Sequence, residues 1–436
     1  MSYDAIIIGG GCAGFSAATA LAESGARVLV LEARPGLGGR ATAFTDPATG
    51  ERIDNGQHIL MGCYDATFAL LRRIGAADRV RWQSGLKVPM IDRAGHYSVL
   101  SLPALPSPLH LLGGVLTWEA LSWAERLSVL RIGSTLRSGS AKPSGVSVRQ
   151  WLIDNRQAPR LCELFWEPLA LAALNQSIDQ AEAAYFIRVL ERVFGSDPSA
   201  AALVLPAVPL DQMYAQPARQ WLEQRGHAVR VNAPARVVIE NQQVTGVRVR
   251  DELIAAPIVV STVAWHAFHA LFDQPPIELQ ETIANASALG SLPIVTLNLW
   301  FDCAVMHEPL IGLPGRSFQW VFDRRAMVGG DASHLSLISS GAETIVSMSN
   351  DELAALALTE VRDALPEARS AKLTRSLAVR EKRSTFSLAA DAPPRPQTRT
   401  AIRGLLLAGD WVDTGLPATI ESAVLSGHLA AAMASA

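Results

Sequence analysis

The sequence has little cysteine and no excess of charge, and each shortage excludes a class of protein. Its four cysteines, Cys12, Cys63, Cys162 and Cys303, lie far apart and form no C-x-x-C pair, so we expect neither a disulfide framework nor a metal site. The 38 lysines and arginines nearly balance the 41 aspartates and glutamates, which leaves no positive field for binding nucleic acid. Low-complexity tracts are also absent, and 49% of the residues are hydrophobic, as is typical of a globular protein.

The N-terminus lacks the basic region and cleavage site of a secretory signal, so we expect a cytoplasmic protein. Residues 94–118 and 253–272 contain no charged side chain and are each long enough to cross a bilayer. Prolines and the Gly113–Gly114 pair interrupt the first stretch, and the second divides into a β-rich run and a helical run, so neither predicts a spanning helix. We expect residues 94–118 to form an apolar loop that contacts the inner face of the cytoplasmic membrane, or the mouth of an apolar tunnel.

The first 32 residues predict a β-turn-α-β unit that binds a dinucleotide. Apolar runs at residues 3–8 and 27–31 flank a helical run at residues 12–24. In the turn, the backbone can approach a pyrophosphate closely and the helix start presents free N–H groups. Glu32 ends the second strand, where its carboxylate can accept hydrogen bonds from ribose hydroxyls of NAD or of FAD. The predicted ligands in the turn are Gly9, Gly11, Ala13 and Gly14.

Two further motifs favour FAD over NAD. A second glycine-rich turn at residues 33–41 carries two guanidinium groups that can donate to phosphate or flavin oxygens, and a nicotinamide-binding fold does not need it. A strand near the C-terminus ends in a Gly-Asp turn, whose carboxylate can bind a ribityl hydroxyl, before a helix that directs its positive end towards the flavin. The predicted ligands in these motifs are Ala33, Arg34, Gly38, Gly39, Arg40, Gly409, Asp410, Ala418, Thr419 and Ile420.

In these three motifs the sequence resembles the amine oxidase and carotenoid desaturase superfamily of FAD enzymes, and within it the family of hydroxysqualene dehydroxylases. The similarity extends to residues 53–64, 165–175, 319–324 and 381–386, so it spans nearly the whole chain. Ser422 stands where the family pattern has glycine. The resemblance also implies cofactor contacts at Gly56, Gln57, His58 and Val237.

The order of predicted elements indicates an α/β fold with two parts. A Rossmann-like FAD-binding domain would be assembled from the discontinuous segments 1–85, 206–285 and 396–436. An inserted α+β substrate-binding domain, with a mixed sheet plus helices, would comprise residues 86–205 and 286–395.

The resemblance implies an FAD-dependent oxidoreductase, acting on CH or CH2 groups, that removes the hydroxyl of hydroxysqualene to give squalene in hopanoid synthesis. We hypothesise that reduced flavin delivers a hydride while the hydroxyl leaves as water, which requires a proton donor. The candidate donors are His58, Asp54, Asp413 and Glu421, and Asn175 could orient the hydroxyl. Each has a structural alternative: His58 as a core histidine, Asp54 and Glu421 as helix caps or cofactor ligands, and Asn175 as a helix terminator.

Three other functions stay open. A flavin amine oxidase is one, although the strand at residues 294–301 contains no lysine and no tyrosine follows Tyr214. A squalene or phytoene-type desaturase, and a lipid-binding flavoprotein without turnover, are the others. Apart from Gly9–Gly14, no G-x-G-x-x-G motif follows a strand, so the sequence shows no separate nicotinamide-binding domain. The electron donor therefore stays unknown.

Overall fold

The computed structural model describes residues 3–103, 105, 109–137, 143–195, 197–329 and 333–435. The strands are β1 Ala5–Ile8, β2 Val28–Leu31, β3 Ala43–Thr45, β4 Arg52–Asp54, β5 Leu60–Met61, β6 Val80–Trp82, β7 Lys87–Ile91, β8 Tyr97–Ser101, β9 Leu203–Pro206, β10 Ala228–Arg230, β11 Ala235–Glu240, β12 Gln243–Val249, β13 Glu252–Ala255, β14 Ile258–Ser261, β15 Leu292–Phe301, β16 Leu310–Gly312, β17 Trp320–Asp323, β18 Ser333–Ser340, β19 Leu373–Thr385 and β20 Leu405–Leu407.

The α-helices are α1 Cys12–Glu23, α2 Asp65–Arg73, α3 Leu109–Thr117, α4 Trp123–Arg137, α5 Val148–Asp154, α6 Pro159–Leu161, α7 Glu167–Leu174, α8 Ala183–Val193, α9 Gln216–Glu223, α10 Gln280–Ala288, α11 Arg324–Val328, α12 Asn350–Ala364 and α13 Ile420–Ala434. Short 3₁₀ segments lie at Ala77–Arg79, Pro198–Ala201, Trp265–Leu271, Ile277–Leu279 and Pro366–Arg369, and π-type turns lie at Cys162–Trp166 and Asp211–Ala215.

A five-stranded parallel sheet of order β10-β2-β1-β14-β20 forms the first layer. Strands β1 and β2 are buried at every residue, as expected for the centre of a parallel sheet covered on both faces. Helix α1 packs between this sheet and α13. The sheet therefore joins strands from the beginning, the middle and the end of the chain.

A seven-stranded mixed sheet of order β19-β15-β18-β17-β16-β7-β8 forms the second part. One face of β15 packs Val295, Leu297 and Leu299 against the buried side of α12, and Ser349 caps that helix. The opposite face approaches the FAD motifs, since the Thr296 hydroxyl donates to the Asn55 carbonyl at 3.4 Å. This architecture confirms the predicted α/β fold class, whereas the predicted domain boundaries stay a prediction.

Residues 94–118 differ from the apolar loop that we expected. Residues 104 and 106–108 lie outside the described residues, but the rest contributes strand β8, which pairs with β7, and helix α3. Gly114 lies within α3 and does not break the helix. A Cβ at this position would lie 2.4 Å from the Leu102 side chain, so glycine allows α3 to pack closely against the β7–β8 hairpin. In the part of the chain that is described, no helix has both the length and the apolarity needed to cross a bilayer.

The contact between α1 and α13 depends on a missing side chain. A Cβ at Gly427 would lie 2.2 Å from the Ala13 carbonyl oxygen, so Gly427→Ala must separate the two helices. We expect it to lower the free energy of unfolding by about 1–3 kcal/mol. Gly133→Ala in α4 is the control, because its Cβ would meet nothing nearer than the Leu112 side chain at 4.0 Å. Thermal unfolding of both variants measures the difference, and equal midpoints would contradict this packing.

Candidate active site

The first glycine turn joins β1 to α1. Gly14 brings the helix against the turn, since a Cβ there would lie 1.9 Å from the Gly9 carbonyl oxygen. Gly11 is the N-cap residue of α1 and no side chain caps the helix, so its first N–H groups are available to an anion. A Cβ on Gly11 would have no neighbour nearer than 3.9 Å, which leaves room for a phosphate.

Glu32 connects the two glycine-rich turns. Its buried carboxylate accepts hydrogen bonds from the Gly10 N–H at 2.8 Å and from the Arg34 N–H at 2.9 Å. The Gly38 N–H donates to the Gly10 carbonyl at 2.8 Å, which brings the second turn against the first. The Ala33 and Arg34 side chains are exposed. The acid is thus at the strand end, where an adenosine ribose would lie.

Arg40 connects the second turn to the closing motif. Its guanidinium group forms a bidentate ion pair with Asp410, and its Nη1 also donates to the Ser384 carbonyl at 2.9 Å. The same group lies 5.2 Å from the centre of the Trp265 ring. The Gly409 N–H donates to the Ser426 hydroxyl at 2.7 Å, which fixes the turn against α13. Residues that are 370 positions apart therefore meet in one site.

Asp54 is held in a buried ion pair. Its carboxylate accepts from Arg324 Nη1 at 2.6 Å and from the Leu210 N–H at 2.8 Å, and both charged side chains are at most 3% exposed. Gln57 bridges the pair, with its amide nitrogen 3.2 Å from Asp54 and its oxygen 3.1 Å from Arg324. These contacts describe a carboxylate that holds segments together, which disfavours its predicted role as a proton donor.

His58 lies in the segment between β4 and β5. Its Nδ1 is 3.0 Å from the Gly56 carbonyl oxygen, and since a carbonyl can only accept, Nδ1 carries the proton. Burial lowers the pKa of the imidazole, so the ring is neutral near pH 7 and Nε2 offers a lone pair. The geometry suits an acceptor of hydrogen bonds better than the predicted proton donor.

The Asn175 side chain is used within the protein. The residue ends α7 with a left-handed backbone (φ 52°), as the structural alternative anticipated. Its amide nitrogen donates to the Thr385 hydroxyl at 2.9 Å, and its oxygen accepts from the Gly341 N–H at 2.8 Å. With 4% of its surface exposed, it is not positioned to orient a substrate hydroxyl.

Glu421 caps the start of α2. Its carboxylate accepts from the Ala66 N–H at 3.1 Å, from the Thr67 N–H at 2.9 Å and from the Thr67 hydroxyl at 2.8 Å. Arg192 Nη2 lies 3.4 Å away. The Glu421 carboxylate is therefore engaged in contacts within the protein, which again disfavours its predicted role as a proton donor. Asp413 is nearer the surface and accepts from Arg395 Nη2 at 3.0 Å.

An apolar cavity of about 160 Å³ begins beside the FAD motifs. Ile59, directly after the Gly56–His58 stretch, and Leu416, Pro417 and Thr419 of the closing motif border one side of it. Its remaining walls come from the β7–β8 hairpin and from α7 and α8. The apolar lining includes Met61, Val88, Met90, Leu100, Phe165 and Leu169.

A wider groove of about 650 Å³ lies elsewhere, is open to solvent and has a mixed polar and apolar lining. Its border includes Asp179, Glu343 and Asp391, and none of the predicted FAD ligands lines it. We therefore place the chemistry at the smaller, apolar cavity. No group of three or more His, Cys, Asp or Glu side chains within the described ranges is arranged to hold a metal ion.

Val237 lies apart from the glycine turns, on β11, where it pairs with Val247. The chain just before β11 contacts the predicted adenosine end of the site, because the Ala233 N–H donates to the Glu32 carbonyl at 2.9 Å. The two glycine-rich turns and the Gly-Asp turn, residues 9–14, 32–40 and 409–410, are thus joined by direct contacts. Val237 is linked to them through the residues that precede β11.

Four residues of the site were not predicted. The Tyr214 hydroxyl donates to the carbonyls of the second glycine turn, at 2.6 Å to Gly38. Arg324 neutralises Asp54, whereas Tyr64 and Arg192 line the cavity. Tyr64 and Arg324 lie inside the stretches of family similarity, so the resemblance is the sequence feature that could have identified them. Tyr214 and Arg192 carry no local motif.

Comparisons with known proteins agree with this geometry. The family model described as flavin containing amine oxidoreductase matches residues 12–434. A hydroxysqualene dehydroxylase from Zymomonas mobilis is 26% identical, over 98% of each chain. A 15-cis-phytoene desaturase from Glycine max is 25% identical, over 98% of this chain and 78% of its own.

Solved structures share the fold at lower identity. An oxidoreductase from Methanosarcina mazei superposes with a TM-score of 0.75 at 16% identity, covering 97% of this chain and 98% of that one. Cyclohexylamine oxidase from Brevibacterium oxydans gives a TM-score of 0.70 at 16% identity, covering 100% and 99%. Together with the two glycine turns, Glu32 and the Arg40–Asp410 pair, the family match means that the chain belongs to the flavin-containing amine oxidoreductases and is an FAD-dependent oxidoreductase.

Proposed function

We propose that the chain reductively removes the hydroxyl of hydroxysqualene, giving squalene for hopanoid synthesis. The observation that carries this proposal is the apolar cavity that begins beside the FAD motifs. A lining of aliphatic and aromatic side chains favours a hydrocarbon substrate, because each buried CH₂ contributes about 0.8 kcal/mol. Curated relatives from Zymomonas mobilis and Sinorhizobium fredii, both 26% identical, are named hydroxysqualene dehydroxylases, which supports the same substrate.

The cavity would enclose only one end of a hydroxysqualene molecule. Its volume of about 160 Å³ is below the roughly 300–1,000 Å³ of pockets that enclose a whole drug-sized ligand. The reacting end would lie against Thr419 and Ile59, and the rest would extend past Leu100 on the β7–β8 hairpin. The apolar walls would also exclude water from the reacting carbon.

FAD would be held by the residues of its three motifs. The first N–H groups of α1 would bind the pyrophosphate, Glu32 the adenosine ribose, and the Arg40–Asp410 region the ribityl and flavin end. Fully reduced FAD would supply the two electrons and two hydrogens that the reaction consumes, one as the hydride to carbon and one as the proton with which the hydroxyl leaves as water. The chain's own contribution is to position the reacting carbon and to hold the leaving oxygen.

Desaturation is the second candidate, since phytoene desaturases are about as similar as the dehydroxylases. It would use the same cavity for a hydrocarbon with no hydroxyl. Amine oxidation is disfavoured, because burying an ammonium ion among apolar side chains is costly, and Glu421, which borders the cavity, already contacts Arg192 and caps α2. A lipid-binding role without turnover would leave bound, reduced flavin unchanged on adding substrate.

Glu32→Ala should weaken FAD binding by about 10- to 100-fold. The carboxylate organises both glycine turns and faces the ribose, and a hydrogen bond to a charged group contributes about 1.5–3 kcal/mol. Titration of the apoprotein with FAD, followed by flavin fluorescence, measures the affinity. Glu23→Ala is the control, because that carboxylate is 48% exposed and pairs with Arg73 on the surface. Equal affinities would contradict this assignment.

Under anaerobic conditions, purified protein with chemically reduced FAD should convert hydroxysqualene to squalene. Ala173→Phe, which fills the cavity, should abolish the conversion while the protein still binds FAD. Mass spectrometry of the extracted lipid identifies the product. Additional double bonds formed from squalene or phytoene by the oxidised protein, with hydroxysqualene unchanged, would favour the desaturase instead.

We extend the proposed peripheral membrane contact from residues 94–118 to α4, on the basis of exposed apolar side chains. Trp123, Leu127 and Leu130 follow one another at helical spacing and are 68%, 51% and 41% exposed. Arg126 packs over the Trp123 ring at 4.9 Å, an arrangement suited to the headgroup region of an anionic bilayer. Helix α3 packs between α4 and β8, whose Leu100 lines the cavity, so this surface adjoins the proposed substrate path.

Trp123→Asp combined with Leu127→Asp should abolish binding to vesicles that contain anionic lipid. The two carboxylates would oppose both insertion and the negative surface. Leu253→Asp combined with Ile277→Asp is the matched control, because those side chains are 62% and 75% exposed elsewhere. Flotation of each variant with liposomes measures binding. Wild-type protein that stays entirely in the soluble fraction would contradict the contact.

A further inference from the structure

The cavity is apolar except at one end. There, Tyr64, Arg192, Thr419 and Glu421 contribute its polar side chains. Arg192 lies 3.4 Å from Glu421, and Tyr64 and Thr419 border the same cavity. Thr419 belongs to the predicted FAD ligands, so the polar end is also the end nearest the cofactor.

One nitrogen of the Arg192 guanidinium group, Nη2, is held by contacts within the protein. This nitrogen donates to the Cys63 carbonyl at 2.7 Å and lies 3.2 Å from Asp65 and 3.4 Å from Glu421. Among the described residues, all hydrogen bonds of this guanidinium group are made by Nη2. Its remaining N–H groups can therefore donate to a ligand in the cavity.

Tyr64 supplies a neutral donor beside this cation. Burial raises the pKa of its phenol, so the hydroxyl keeps its proton throughout the physiological range. A phenol in an apolar wall can donate a hydrogen bond to an alcohol oxygen without burying a second charge beside the hydrocarbon. Glu421 holds the charge of Arg192 in place while it caps α2.

We propose that Tyr64 and Arg192 form a hydroxyl-binding subsite that selects an alcohol over the corresponding hydrocarbon, an inference that rests on the proposed function. Both groups would donate to the oxygen of the leaving hydroxyl. A hydrocarbon in the same position would bury these donors without partners, which is costly. The squalene product lacks the oxygen, so it would bind more weakly than the substrate and leave. The subsite also favours dehydroxylation over desaturation.

Binding to the oxidised, FAD-loaded protein tests the subsite without turnover. Hydroxysqualene and squalene are each titrated in detergent micelles, and the change in the flavin absorption spectrum gives the affinity. Wild-type protein should prefer hydroxysqualene by about 10- to 100-fold, from one or two hydrogen bonds to neutral and charged donors. Tyr64→Phe should reduce this preference about fivefold or more, because hydroxysqualene loses a donor and squalene no longer leaves the phenol hydroxyl without a partner.

Two further variants separate the outcomes. Arg192→Lys keeps the charge that faces Glu421 but loses the planar fork, so it should also reduce the preference. Val189→Ala, in the apolar wall, should weaken both lipids equally. Full preference retained in Tyr64→Phe and Arg192→Lys would overturn the subsite but leave the proposed function standing. Wild-type protein that binds neither lipid would overturn the proposed function, and the subsite with it.

Discussion

Helix α1 can lie against both the sheet and α13 only because side chains are missing at its two contact points. Gly14 lets the helix start approach the Gly9 carbonyl, and Gly427 lets α13 approach Ala13. Interiors are close-packed, so one added methyl group at either point would move the helix. We propose that the N–H groups at the start of α1 bind the pyrophosphate, and in that case the position of the cofactor would depend on these two approaches.

Charged pairs then join the segments that the sheet brings together. Arg40 pairs with Asp410, and Asp54 pairs with Arg324, each across more than 260 residues of sequence. Buried pairs contribute little net stability, but removing one partner is expensive. They therefore fix which segments meet at the site.

The sequence predicted the nucleotide-binding unit closely, because its signals are local. Helix α1 and strand β2 agree within a residue with the runs predicted at residues 12–24 and 27–31. The role of Arg192 was not predicted, because its contact with Glu421, 229 residues away in the sequence, leaves no trace in spacing. Likewise, Gly114 resembled a helix breaker, since its close approach to Leu102 is visible only once the chain has folded.

Strand β20 and helix α13 have a consequence for how the protein is made. They provide the edge of the parallel sheet, the partner of Arg40 and the cap of α2, and all of this lies in the last 32 residues that the structure describes. A nascent chain on the ribosome would have its first glycine turn long before these elements emerge. Flavin binding is thus expected only once β20 and α13 have been synthesised and packed, and proteolytic cleavage just before β20 would remove parts of both the flavin site and the substrate cavity.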